Sequence, residues 1–117
     1  MCFDFPEQNT TVYGLSYWHR EIRQALYDEV FPKNTDRINI LLAHGGDERH
    51  IPFSVEKILR HGFDYMAAGH IHKGGQLVQG RAVMAGALEP TDCNDTGAHG
   101  YWIGDIGKTY WEVSFYP

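Results

Sequence analysis

The sequence predicts an α/β fold whose mixed sheet gives way, toward the C-terminus, to mainly antiparallel strands. Three observations carry this. Arg37–Ala43 (RINILLA) and Phe63–Ala68 (FDYMAA) are nearly continuous apolar runs, as expected of strands covered on both faces. Between them, Ser54 can cap a helix running to His61, and Gly62 supplies a stop just past its end. Beyond residue 75 the apolar segments become short and are separated by glycine-containing turns.

The elements follow in order. Thr11–Tyr17 is rich in β-branched and aromatic residues and reads as a strand. Trp18–Val30 places Ile22, Leu26 and Val30 at four-residue spacing, which predicts an amphipathic helix. Pro32–Thr35 is a turn. In the helix after Ser54, residues Val55, Ile58 and Leu59 share a face. Gln76–Gln79, Arg81–Ala85, Tyr101–Ile106 and Thr109–Phe115 read as strands, the last two forming a hairpin around Gly107-Lys108. The aromatic residues Tyr110, Trp111, Phe115 and Tyr116 are read as sheet packing rather than a base-stacking platform.

A chain of 117 residues suits one domain, and no repeat, linker or low-complexity tract divides it. No apolar run approaches the roughly 20 residues a membrane helix needs. The N-terminus lacks a basic region followed by an apolar stretch, so no signal peptide is expected. Two cysteines, Cys2 and Cys93, make no disulfide framework and point to a reducing cytoplasm. The net charge of −5 argues against a free-standing nucleic-acid module, which would show a basic face. It does not exclude a nuclease that takes basic surface from another domain or partner.

Seven histidines in so short a chain direct attention to metal or acid–base chemistry. His44 ends an apolar strand and precedes Gly45-Gly46, where the backbone can turn sharply away. In layered α/β proteins, sites gather at such strand ends. His70 and His72 follow the next apolar strand, and in an extended chain their side chains would point the same way. Asp47 and Glu48 follow His44 in a loop and could approach the site, whereas Asp64 sits at the opposite strand end and is read as structural. No Asp-x-His or Asp-x-x-Asp occurs, so carboxylate ligands are few. His19 and His61 are read as structural or solvated, and His50 as a surface-loop residue. His99 has no evident role. Glu89-Pro90 and Asn94 are read as residues at the rim of the site.

Several segments, in order, resemble the C-terminal half of the calcineurin-like metallophosphoesterase catalytic domain, within its Mre11/SbcD-like DNA-repair exonuclease branch. They are Leu42-Ala-His-Gly45, His61–Lys73 (HGFDYMAAGHIHK), Ala85–Pro90 (AGALEP) and Asn94–Tyr101 (NDTGAHGY). The resemblance implies half of a four-layer α/β/β/α sandwich and a centre of two divalent metal ions. Manganese is the first expectation, with zinc, iron(II) or nickel as alternatives. His44 and His70 would bind one metal and His72 the other, with no catalytic acid or base in this chain. It also implies DNA or another phosphodiester as substrate and an SMC-like ATPase subunit as partner. The family's Asp-x-His, Gly-Asp-x-x-Asp and Gly-Asn-His motifs are not found here. The expectation is therefore a single truncated domain, with those motifs upstream of Met1 and little or no activity in the isolated chain. Self-association through an uncovered apolar sheet face is a further consequence.

Two other classes fit parts of the pattern. Three imidazoles could hold one ion in a non-catalytic metal-binding or interaction module. A cupin-like barrel also places His-x-His on a strand, but Lys73–Gln76 stands where its glutamate would be, and the helix after Ser54 argues against it.

Overall fold

A computed structural model describes residues 1–117. Two apolar runs form the centre of a six-stranded sheet ordered β1-β2-β3-β4-β6-β5. Its strands are β1 (Cys2–Phe5), β2 (Thr10–Tyr13), β3 (Ile38–His44), β4 (Tyr65–Gly69), β5 (Gly75–Val78) and β6 (Ala82–Met84). Strands β2, β3, β4 and β6 run parallel, and the two edges are closed by antiparallel β1 and β5. The fold is thus mixed α/β, strand-rich and poor in helix.

The one α-helix, α1 (Val55–Arg60), forms where the capping pattern places it. Ser54 Oγ accepts the Lys57 N–H, and Gly62 takes the left-handed conformation just past the helix end. Ile58 is fully buried beneath it. One face of the sheet, carrying Tyr13, Leu41, Ala43, Met66 and Ala82, joins Ile22, Tyr27, Ile51, Ile58 and Phe63 in a single core. The opposite face is less covered: Ile40 and Ala67 are half-buried and Leu42 is 51% exposed.

The helix expected over residues 18–30 does not form. The segment is extended or irregular apart from one 3₁₀ turn at Leu26–Glu29. Ile22 donates its N–H to Arg49 O and accepts from Ile51 N–H, so its backbone is committed to a neighbouring loop. Of the spaced residues Ile22 is buried in the core, and Leu26 and Val30 pack half-buried against it. At its end Val30 is extended just before Phe31-Pro32, and the residue preceding a proline disfavours the helical region. The strand expected over residues 11–17 covers only Thr10–Tyr13; past it Gly14 donates to Met1 O, where β1 begins and its pairing runs out. Strand β1 has only four residues, and Phe3 and Phe5, which share a face, are both exposed.

The C-terminal hairpin pairs β7 (Tyr101–Ile106) with β8 (Trp111–Tyr116) through a four-residue loop, Gly107–Tyr110. It is a separate two-stranded sheet tied to the larger one by side chains. Lys108 Nζ donates to Asp64 Oδ2 at 3.0 Å and to Arg37 O at 2.9 Å, and the Arg81 guanidinium lies 4.5 Å over the Trp111 ring. The reading of Asp64 as structural agrees with this, since its carboxylate also accepts the buried Asn39 N–H at 2.8 Å. Of the hairpin aromatics, Trp111 and Phe115 pack, Phe115 against Trp102. Tyr116, although exposed, stacks on Tyr101 across the hairpin; Tyr110 is exposed, and to that extent the packing expectation is corrected.

Candidate metal centre

Neighbouring parallel strands β3 and β4 end in register, with His44 opposite Gly69. This brings His44 and His70 to one edge of the sheet, their ring centroids 5.0 Å apart. His44 N–H donates to the buried Tyr27 hydroxyl at 3.0 Å, which anchors the strand end. The His44 ring loses affinity for a proton, first through desolvation and then through the neighbouring His70 and His50 rings. A neutral imidazole is the form that can ligate a metal.

The loop after His44 folds back onto itself. Gly46 N–H donates to His50 O at 2.8 Å and to Ile51 O at 3.1 Å. Gly45 makes this possible, since a Cβ there would lie 2.2 Å from His50 O. Asp47 then begins a tight turn: its Oδ1 accepts the Arg49 N–H at 2.9 Å and its carbonyl accepts the His50 N–H. The turn delivers His50 to the histidine cluster. His50 Nδ1 lies 2.7 Å from Asp47 Oδ1, and His70 Nε2 lies 2.8 Å from Asp47 Oδ2. His50 and His70 ring centroids are 4.3 Å apart.

Partial burial works to raise the Asp47 carboxyl, but hydrogen bonds from His50, the Arg49 N–H and His70 outweigh it and hold the group well below the usual carboxylate range. Tyr17 stands beside the cluster, 5.8 Å from His44 and 6.5 Å from His50 between ring centroids. Its buried hydroxyl has no partner.

Ligand atoms of Asp47, His50 and His70 lie within 4.8 Å of one another. Two ligands bound at about 2.1 Å to one ion sit roughly 3.0–3.4 Å apart, so the present Asp47 contacts need widen only slightly to admit it. One carboxylate with imidazoles is a donor set suited to zinc, iron, nickel or manganese. The residues therefore fit a divalent ion.

The extended geometry expected for Gly69–His72 is not adopted. Strand β4 ends at Gly69, His70 takes φ 106°, and both histidines lie in bends. Such a backbone is strained for a residue with a side chain, and strain of this kind collects at functional sites. His72 is held apart from the Asp47 pairings: its Nδ1 faces Asp95 Oδ2 at 3.3 Å and Thr91 Oγ1 at 3.1 Å. The Asp95 carboxyl is held below its ordinary range, chiefly by hydrogen bonds from the Thr91 hydroxyl and N–H.

The other histidines separate clearly. His19 is exposed, in a bend rather than at a helix start. His61 caps α1, stacks on Phe31 at 3.8 Å and faces Val30 O through Nδ1. His50 is not a loose surface residue, since its side chain is only 30% exposed and paired with Asp47. The Asp47-x-x-His50 spacing after a Gly-Gly pair was the legible signal for this turn.

Known proteins give one point of comparison. The chain is similar to a Bacillus subtilis (strain 168) protein described as "Uncharacterized metallophosphoesterase YhaO", 28% identical over 114 residues. The match covers 90% of this chain and 27% of the relative, so the chain spans about a quarter of that protein's length. No family model matches the chain, and no solved structure matches it. The similarity supports the metallophosphoesterase superfamily.

Proposed function

We propose that this chain carries the histidine-bearing part of a metal-dependent phosphodiesterase centre, with the phosphodiester backbone of DNA as its substrate. One observation carries the reading: His70 converges with Asp47 and His50, beside the ring of strand-end His44, at one edge of a parallel sheet. The Gly69-His-Ile-His72 resemblance and the similarity to the B. subtilis relative support the phosphoester class. The chain's net acidity is consistent with a basic DNA-contacting surface supplied elsewhere.

His44 and His70 would hold one ion and His72 a second, with Asp47 and His50 close enough to His70 to join the first set. Bound metal would supply an activated water and neutralise phosphoryl charge. Asp47 fixes the His50 and His70 rings, and Tyr27 fixes the backbone of His44. The remaining carboxylate ligands, the other layers of a four-layer sandwich and an SMC-like ATPase partner belong, on this proposal, to chain beyond these 117 residues.

Calorimetric titration with Mn²⁺ and Zn²⁺, paired with turnover of bis(p-nitrophenyl) phosphate, tests the reading. The expected result is metal binding that His70→Ala abolishes, with little or no turnover by the 117-residue chain alone. Failure to bind either ion would overturn it. Full Mn²⁺-dependent turnover would show instead that the centre is completed within the chain or by a second copy. A non-catalytic module holding one ion is the second reading, favoured by the compactness of the Asp47–His50–His70 set. A single bound ion unaffected by His72→Ala would select it.

A further inference from the structure

The segment Thr91–His99 has no place in the centre described above, yet it touches His72 from two sides. Asp95 Oδ2 accepts the Thr91 hydroxyl at 2.5 Å and the Thr91 N–H at 2.9 Å. That hydroxyl has one proton, and it goes to Asp95. Toward His72, both Thr91 Oγ1 at 3.1 Å and Asp95 Oδ2 at 3.3 Å therefore present lone pairs. Two acceptors facing one ring nitrogen require that nitrogen to carry the proton. The histidine backbone is held as well, since His72 O accepts the Ala87 N–H at 2.9 Å.

His99 locks these two contacts together. Its Nδ1 faces Ala87 O at 2.9 Å and its Nε2 faces Asp95 O at 3.1 Å. The ring thus bridges the residue that holds the His72 backbone to the residue that holds its side chain. Gly97, in the left-handed region at φ 97° with open space around it, lets the short segment return to make that bridge.

We propose that Asp95 and Thr91 are positioning residues for His72: they accept its Nδ1–H, fix the ring, and leave Nε2 as the free donor to a metal ion. A carboxylate behind a ligating histidine orients the ring and strengthens it as a donor. The role given to Nε2 rests on the metal-centre reading above, whereas the tautomer and the ring orientation do not.

The test is ¹⁵N NMR of the His72 ring in the metal-free 117-residue chain, followed by Zn²⁺ titration. In the unaltered chain Nδ1 should be protonated and Nε2 bare. Asp95→Asn and Thr91→Val should each shift the ring toward the Nε2–H tautomer. Thr91→Val keeps the side-chain shape and guards against a folding artefact. If the variants weaken Zn²⁺ binding about 10- to 100-fold, and weaken it no further in a His72→Ala background, the full proposal holds. A protonated Nε2 in the unaltered chain, or a tautomer indifferent to both variants, overturns it. If the tautomer shifts as expected but His72→Ala leaves Zn²⁺ affinity unchanged, the positioning stands and the assignment of His72 as a ligand fails.

Discussion

At the scale of single residues, the site depends on backbone conformations as much as on ligands. Gly45→Ala changes no ligand, yet its Cβ would meet His50 O at 2.2 Å and force the loop open. The variant should lose metal affinity comparably to His50→Ala while retaining its circular dichroism spectrum. His99 makes a pH prediction. Hydrogen bonds to the Ala87 and Asp95 carbonyls raise its pKa above the ordinary 6.5, because both ring nitrogens face acceptors and only the cation donates from both. A raised folded value means the contribution is complete below the ordinary imidazole range and is lost as pH climbs through the folded value. The His99 ring-proton titration should have its midpoint above 6.5, and order in residues 91–99 should decline as pH rises through it. A midpoint at or below the ordinary value would refute the bridge.

Among the elements, the carboxylate of Asp64 joins three segments. It accepts the buried Asn39 N–H in β3 and the Lys108 ammonium from the β7–β8 loop. Asp64→Ala leaves that backbone donor unpaired, and about 1–3 kcal/mol of stability should be lost in urea denaturation. Lys108→Ala should cost less, because the ammonium is partly exposed and its loss leaves Asp64 paired with Asn39. Helix α1 was legible because capping is local chemistry, with Ser54 and Gly62 marking both ends. The absent helix over residues 18–30 shows the limit of that approach. Periodic apolar spacing states which side chains seek burial, but Ile22 reached the core through a bridge to the 49–51 loop, a partner remote in sequence.

On the scale of the whole molecule, the radius of gyration is 14.3 Å, against about 13.4 Å for a compact domain of this length. The excess accords with one sheet face left open around Ile40, Leu42 and Ala67. A cleft of about 580 Å³ continues that face beneath the hairpin, between Val83 and Trp102. Concentration-dependent self-association is the expected consequence, and Leu42→Glu should reduce it in light scattering without unfolding the chain. A monomer at high concentration in the unaltered chain would count against this.

The two central strands, the capped helix and the placement of His44 and His70 at or just past strand ends were readable directly, because hydrophobic runs, caps and glycine stops act over a few residues. The tertiary structure alone decided which histidines meet. Parallel register set His44 beside His70, the Gly45-Gly46 turn carried Asp47 and His50 to them, and a bend at His70 sent His72 to Asp95. Those outcomes depend on strand pairing and loop closure between residues distant in sequence, where backbone hydrogen bonds and left-handed dihedrals, rather than local side-chain preference, set the direction of each ring.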